Sequence, residues 1–303
     1  MARPFRFGVS MITPSTGGEW RKKCRRAEEL GYDVILVADH IGMPAPFPAI
    51  VAAAEATQRP RVGTFVLNAA FWNPTLLARE VATTDALTDG RLELGLGTGY
   101  VKAEHDMAGL PWGTPGERVS HLRRTIEELD RLFASDEFQP HPTQQPRPPL
   151  LIGGNGDRML RLTAEHADIA AFSGARAGAD GKPSAITAED LDERVATYRR
   201  FASAHTEAAG SARAEPAEPA ELNVLVQMVE VTQDRRAAIR PSLSLIPDLT
   251  EDEALDLPIL LLGTVRQMAE QLRAQRERYG FSYITVLEPS MEAFGPVIEE
   301  LGA

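Results

Sequence analysis

GRLELGLGTGY, residues Gly90 to Tyr100, is a short apolar strand carrying Leu92, Leu94 and Leu96 that runs straight into Gly97-Thr98-Gly99. Glycine has no Cβ, so a strand ending this way leaves backbone N–H groups and one hydroxyl open to an anion or a flat ring. The same letters also describe a plain tight turn between a strand and a helix, and one such turn decides nothing. Recurrence does decide. Val34 to Ala38 is a near-continuous apolar run, of the kind expected of a strand covered on both faces, and it ends in Asp39-His40. Leu150 to Ile152 likewise runs into Gly153-Gly154.

Working outward, further strands are expected at Phe5 to Ser10, Arg61 to Leu67, Asp168 to Phe172, Leu222 to Val229 and Phe281 to Leu287. Helical spacing of apolar residues separates them. Trp20, Cys24, Ala27 and Leu30 mark one helix, loosened at its start by Gly17-Gly18 and stopped near Gly31. Met43 to Pro48 reads as a proline-rich loop before an alanine-rich helix. Asn73-Pro74 supplies a cap and a first-turn proline for the helix of Leu76, Leu77, Val81, Thr84 and Leu87. A loop through Tyr100, Glu104, His105 and Trp112 leads to Pro115-Gly116 and an amphipathic helix over Val119, Leu122, Ile126, Leu129 and Phe133. Five prolines between Pro140 and Pro149 make a stiff connector. A helix begins near Asp157, another surrounds Leu191, Val195, Tyr198 and Phe201, and Thr206 to Glu221 reads as a solvated loop. Thr264 caps a helix over Val265 to Arg278, and Met291 to Leu301 is a closing amphipathic segment.

Eight strands alternating with helices predict a (β/α)8 TIM barrel rather than a doubly wound sheet. Barrels of about 250 residues form one unit, so residues 1–303 are expected to be a single barrel domain with a polar insertion near 173–221. The site is then expected at the carboxyl ends of the strands, where Asp39-His40, Gly97-Thr98-Gly99 and Gly153-Gly154 fall.

Composition narrows the function. Against 32 basic residues stand 43 acidic ones, a net charge of −11, and no basic cluster could follow a phosphate backbone, so nucleic acid is not an expected partner. No apolar run approaches the ~20 residues that span a bilayer, and MARPFRFGVS lacks a signal-peptide core, which predicts a cytoplasmic protein off the membrane. The lone Cys24 permits no internal disulfide, and its apolar helix face predicts core packing over a nucleophilic role.

His40 beside Asp39 at a strand end can accept or donate a proton near neutral pH; the alternative is a capping aspartate beside a packed histidine. The six histidines, His40, His105, His121, His141, His166 and His205, show neither H-x-H nor H-E-x-x-H spacing, so no metal site is expected. Ser10, Ser120 and Ser290 lack a nucleophile-elbow setting. Tyr100 is a phenol at the mouth of the site, as a hydrogen-bond donor or as a wall, and Phe71, Trp72 and Trp112 can line a pocket or pack in the core.

The set VILVADH, VGTFVL, GRLELGLGTG, LLIGG and YITV, in that order and across nearly the whole chain, resembles the luciferase-like monooxygenase superfamily. Within it the chain resembles the branch that uses the deazaflavin coenzyme F420, with an FMN-dependent monooxygenase as the alternative. The resemblance implies a barrel with insertions, a homodimer, and hydride transfer between cofactor and a small organic substrate. It implies cofactor contacts from Asp39, His40, Val66, Asn68, Gly97, Thr98, Gly99, Gly153 and Gly154, a proton role for His40, and a cis peptide at Phe65–Val66. The F420-dependent sugar-phosphate dehydrogenases it resembles carry a glutamate after Gly-Thr-Gly and a tryptophan four residues past the histidine. Tyr100 and Pro44 stand there in this chain, which argues against glucose 6-phosphate as the substrate.

Overall fold

In the computed structural model, which describes residues 3–177, 183–209, 219–246 and 249–302, the strands pair in chain order and the last closes on the first. The barrel strands are β1 (Arg6–Met11), β2 (Val34–Val37), β3 (Arg61–Thr64), β4 (Leu92–Gly97), β5 (Leu150–Gly153), β6 (Ile169–Phe172), β7 (Glu221–Val226) and β8 (Phe281–Leu287). All neighbours run parallel, with β1 between β2 and β8, and Val62 and Gly63 of β3 registered on Leu92 and Glu93 of β4. The eight-stranded barrel expected from the sequence is therefore the fold.

Its apolar strands are buried twice over, because alternate side chains point to opposite faces. Val34 and Leu36 of β2 join Leu151, Ile169, Ala171 and Tyr283 in a cluster separate from the main core. Ile35 and Val37 belong instead to the core shared with the helices, beside Trp20, Cys24 and Ala27. Midway along the proline-rich connector stands Gln144, whose backbone N–H and side-chain amide both reach the buried Asp85 carboxylate, while its side-chain oxygen accepts from Arg61.

Local chemistry sets most helix ends. Thr16, Thr114 and Thr264 each form a reciprocal capping box, and Asn73 accepts from the N–H groups of Thr75 and Leu76 ahead of the proline-started helix.

Several boundaries differ from expectation. Gly17 and Gly18 lie inside the first helical turn, because Thr16 outcompetes them as the cap. Pro46 and Pro48 lie in the first turn of the helix Pro46–Ala56, where a proline loses no helical hydrogen bond. The stretch after Tyr100 contains a helix, Lys102–Ala108, ended by Gly109 at φ 68°. Strand β3 stops at Thr64, the Phe65–Val66 peptide is cis, and Leu67–Asn68 then pairs with Leu96 and Gly97. The run Leu222 to Val229 is two strands, since the N–H of Gln227 turns to Ile259 and Met228–Val231 pairs with Leu260–Gly263, a strand the sequence reading did not anticipate. Thr206 to Ala209 end the helix Ala188–Ala209, while 178–182 and 210–218 of the expected insertion lie outside the described residues.

Candidate active site

His40 follows β2 at the carboxyl end of the barrel, and its ring is held from two sides. Its Nδ1 lies 2.8 Å from Oε1 of Glu104 on the helix Lys102–Ala108, and its Nε2 lies 3.2 Å from the Tyr100 hydroxyl. A carboxylate only accepts, so Nδ1 carries a proton, and in the neutral ring Nε2 is left to accept from the phenol. The two rings meet edge to face with centroids 5.3 Å apart. Partial burial and the Glu104 carboxylate push the Tyr100 phenol above its ordinary value, so at neutral pH it stays a donor.

Asp39 points elsewhere. Its Oδ2 accepts from the backbone N–H of Asn68 at 3.1 Å and from the Trp72 indole at 3.2 Å. Burial raises its pKa, against the pull of those two hydrogen bonds and of His40. The Asn68 side chain is itself bound by the chain: its Oδ1 accepts from the N–H of Ala70, and its Nδ2 donates to Nε2 of His105. His105 is buried, and its Nδ1 faces the Pro111 carbonyl, which fixes the neutral Nδ1–H tautomer. Phe71 and Trp112 pack around it at 5.4 and 4.8 Å, and Arg118 covers the Trp112 ring. These aromatics wall the network rather than an open pocket.

The glycines separate into two kinds. A Cβ on Gly97 would stand 2.6 Å from Cγ2 of Val66, and one on Gly99, at φ 69°, would stand 2.6–2.7 Å from the Asn68 amide. Both are therefore glycine because the third strand crosses close over them, a reason internal to the chain. Thr98 lies between them, just past the end of β4. At the end of β5 the space is more open. A Cβ on Gly153 would make only ordinary contact, with Val66 and Ala171, and Gly156 has nothing within 4 Å. Gly156 is also the N-cap of the helix Asp157–His166 and offers no capping side chain. Asn155 braces this end by donating to the carbonyl and hydroxyl of Ser173.

The structure thus brings His40 and Tyr100 together and places Asp39, Asn68, Gly97 and Gly99 beside one another. Val66 lies between the ends of β4 and β5, with Gly97 on one side and Gly153 on the other, while Gly154, at φ 148°, faces Met159. Glu104 is the residue the sequence reading passed over as a site residue. The signal available for it is an acidic side chain in the first turn of the helix that follows a strand, which is too common to single out. Among the described residues no three His, Cys, Asp or Glu side chains are placed to hold a metal ion, and no helix is long and apolar enough to cross a membrane.

A closed barrel of eight parallel strands with Asp39, His40 and Tyr100 beyond the strands' carboxyl ends belongs to the class of (β/α)8 barrels. Residues 3–283 match the model of the luciferase-like monooxygenase family, and the chain belongs to that family. An F420-dependent glucose-6-phosphate dehydrogenase of Amycolatopsis mediterranei is 38% identical over 120 residues, 37% of this chain and 36% of that protein. The oxygenase component of a flavin-dependent trigonelline monooxygenase of Acinetobacter baylyi is 32% identical over 149 residues, 43% of this chain and 41% of that one. The match thus spans well under half the length of either relative. An F420-dependent secondary alcohol dehydrogenase, solved with an F420-acetone adduct, superposes with a TM-score of 0.73 at 16% identity over 98% of this chain and 97% of that one, a likeness of fold.

Proposed function

We propose that the protein is an oxidoreductase that uses a deazaflavin of the F420 type to move a hydride to or from a small, uncharged organic substrate. The observation that carries this reading is the presence on one barrel rim of a proton-handling pair, His40 and Tyr100, and an apolar shelf at Val66. The donor set suits such a cofactor. Phe65 and Val66 are half-buried apolar surface against which a flat ring can rest, and the uncapped helix start at Gly156 leaves N–H groups for an anionic tail. In this reading Val66, Gly97, Thr98 and Gly99 lie beside the ring. Gly153 and Gly154 carry the tail, and Asp39 and Asn68 hold the third-strand turn that shapes the shelf. When bound, the cofactor supplies a two-electron hydride acceptor or donor; the chain orients the substrate and manages its proton.

The name of the Amycolatopsis relative supports a deazaflavin. The trigonelline monooxygenase supports the second reading, an FMN-dependent monooxygenase on the same barrel. A fluorescence titration of the purified protein with F420 and with FMN tests the choice. Binding of F420 and turnover without loss of O2 is the expected result, and FMN binding with O2 consumption overturns it. A homodimer is part of the proposal and rests on the family resemblance, and a cytoplasmic location is part of it on the strength of the composition, with its lone Cys24 and no apolar run long enough to span a bilayer; light scattering should read twice the 33.0 kDa chain mass.

A further inference from the structure

We propose that Tyr100, and not His40, meets the reacting oxygen of the substrate, with His40 behind it and Glu104 behind His40, as a proton line running inward from the barrel mouth. The inference rests on the hydride-transfer reading above and deepens it.

The order follows from valence and from exposure. The Nδ1–H of His40 is committed to Glu104, so Nε2 is the ring's one accepting position, and the Tyr100 hydroxyl already occupies it. A substrate hydroxyl could reach Nε2 only by displacing the phenol. The exposed fraction falls along the same line, from 74% for Tyr100 to 21% for the His40 side chain and 14% for that of Glu104. The outermost group is the phenol. The other charged groups nearby are turned away: Asp39 holds Asn68 and Trp72, and Lys102 is paired with Asp106.

For an alcohol substrate the step balances as follows. With the deazaflavin of the proposed function bound as the two-electron acceptor, the substrate C–H bond would break with its electron pair leaving as hydride. The O–H proton passes to the Tyr100 oxygen as the phenol's own proton passes to Nε2 of His40, and the carbonyl forms. The resulting imidazolium faces the Glu104 carboxylate. Tyr100 is neutral before and after, so it never has to ionise. Reduction of a carbonyl runs each transfer backward. Tyr100 is then the catalytic residue and Glu104 a positioning residue that sets the His40 tautomer.

The test has one arm without cofactor and one with it. In the first, ¹⁵N-histidine NMR of the cofactor-free protein should show His40 as the Nδ1–H tautomer. Tyr100→Phe should move only its Nε2 resonance, and Glu104→Ala should abolish the tautomer preference. An Nε2–H tautomer in the wild type, or no response to Tyr100→Phe, overturns the line whether or not F420 binds. In the second, Tyr100→Phe should lower turnover by about 10²-fold or more with F420 affinity kept, the range of general acid–base help. Adding His40→Ala to Tyr100→Phe should cost no more than the worse single change, since members of one unit are not additive. Losses that multiply, or full activity in Tyr100→Phe, overturn the proposal. If F420 does not bind, the functional reading falls, and the cofactor-free spectra still decide the line by themselves.

Discussion

The carboxylate of Asp39 accepts the backbone N–H of Asn68 across the ends of the second and third strands, and the same oxygen takes the Trp72 indole N–H. One side chain thereby pins the turn that follows the cis Phe65–Val66 peptide and the aromatic wall beyond it. Asp39→Ala leaves two half-buried donors unpaired, and each such group costs about 1–3 kcal/mol. Urea denaturation should show a loss of about 2–6 kcal/mol for the two together, whereas Asp39→Asn, which keeps an accepting oxygen, should cost clearly less. Equal losses for the two variants would mean that the bonds to Asn68 and Trp72 contribute nothing.

Gly97 and Val66 form a complementary pair. Gly97→Ala puts a methyl group 2.6 Å from Cγ2 of Val66 and should destabilise the fold by about 1–3 kcal/mol, the usual cost of overpacking. Combining it with Val66→Ala removes the obstacle, so the double variant should be more stable than the sum of the two single losses predicts. Strict additivity would show that the two positions do not touch.

Glu288 ties the exit of β1 to the exit of β8. It accepts from the N–H groups of Ile12 and Thr13 and from Lys23. Burial opposes its ionisation, but these donors together win and hold its pKa below the ordinary value. A carboxyl lowered on folding stabilises fully above its unfolded pKa, about 4.3, and loses that contribution as pH falls through the folded value. Glu288→Gln should therefore destabilise the protein at pH 7, and the gap to wild type should narrow steadily below about pH 4. A gap independent of pH would place the effect in packing instead.

Cys24 is fully buried, and burial pushes its thiol up to about 12. A disulfide reagent such as DTNB reacts with the thiolate. At pH 8 the folded protein should therefore remain unlabelled while the urea-unfolded chain gives one equivalent. Rapid labelling of the folded protein would show that the helix Gly17–Glu29 opens readily.

Much of the fold was legible because its determinants are local. The caps at Asn73 and Thr264 act on N–H groups two and three residues away, and the apolar run Val34 to Ala38 needs no partner to be read as a doubly covered strand. Errors arose where a local pattern has two tertiary outcomes. Leu222 to Val229 is apolar but for Asn223 and Gln227, yet from Gln227 onward it leaves the barrel to pair with Leu260–Gly263, and no periodicity marks a change of hydrogen-bonding partner.

The sequence by itself determined the number and order of the eight barrel strands, and hence which strand ends carry His40, Tyr100 and the glycines. Only the tertiary structure decided what those residues do to one another. Glu104 reaches His40 from 64 positions away, and Asn68 reaches His105 from 37. Gly97 and Gly99 are bare because Val66 and Asn68 of another strand already occupy the space. The physical reason is range. Capping and periodicity act within a few residues, but a hydrogen bond between distant side chains forms only when barrel closure brings donor and acceptor to about 3 Å.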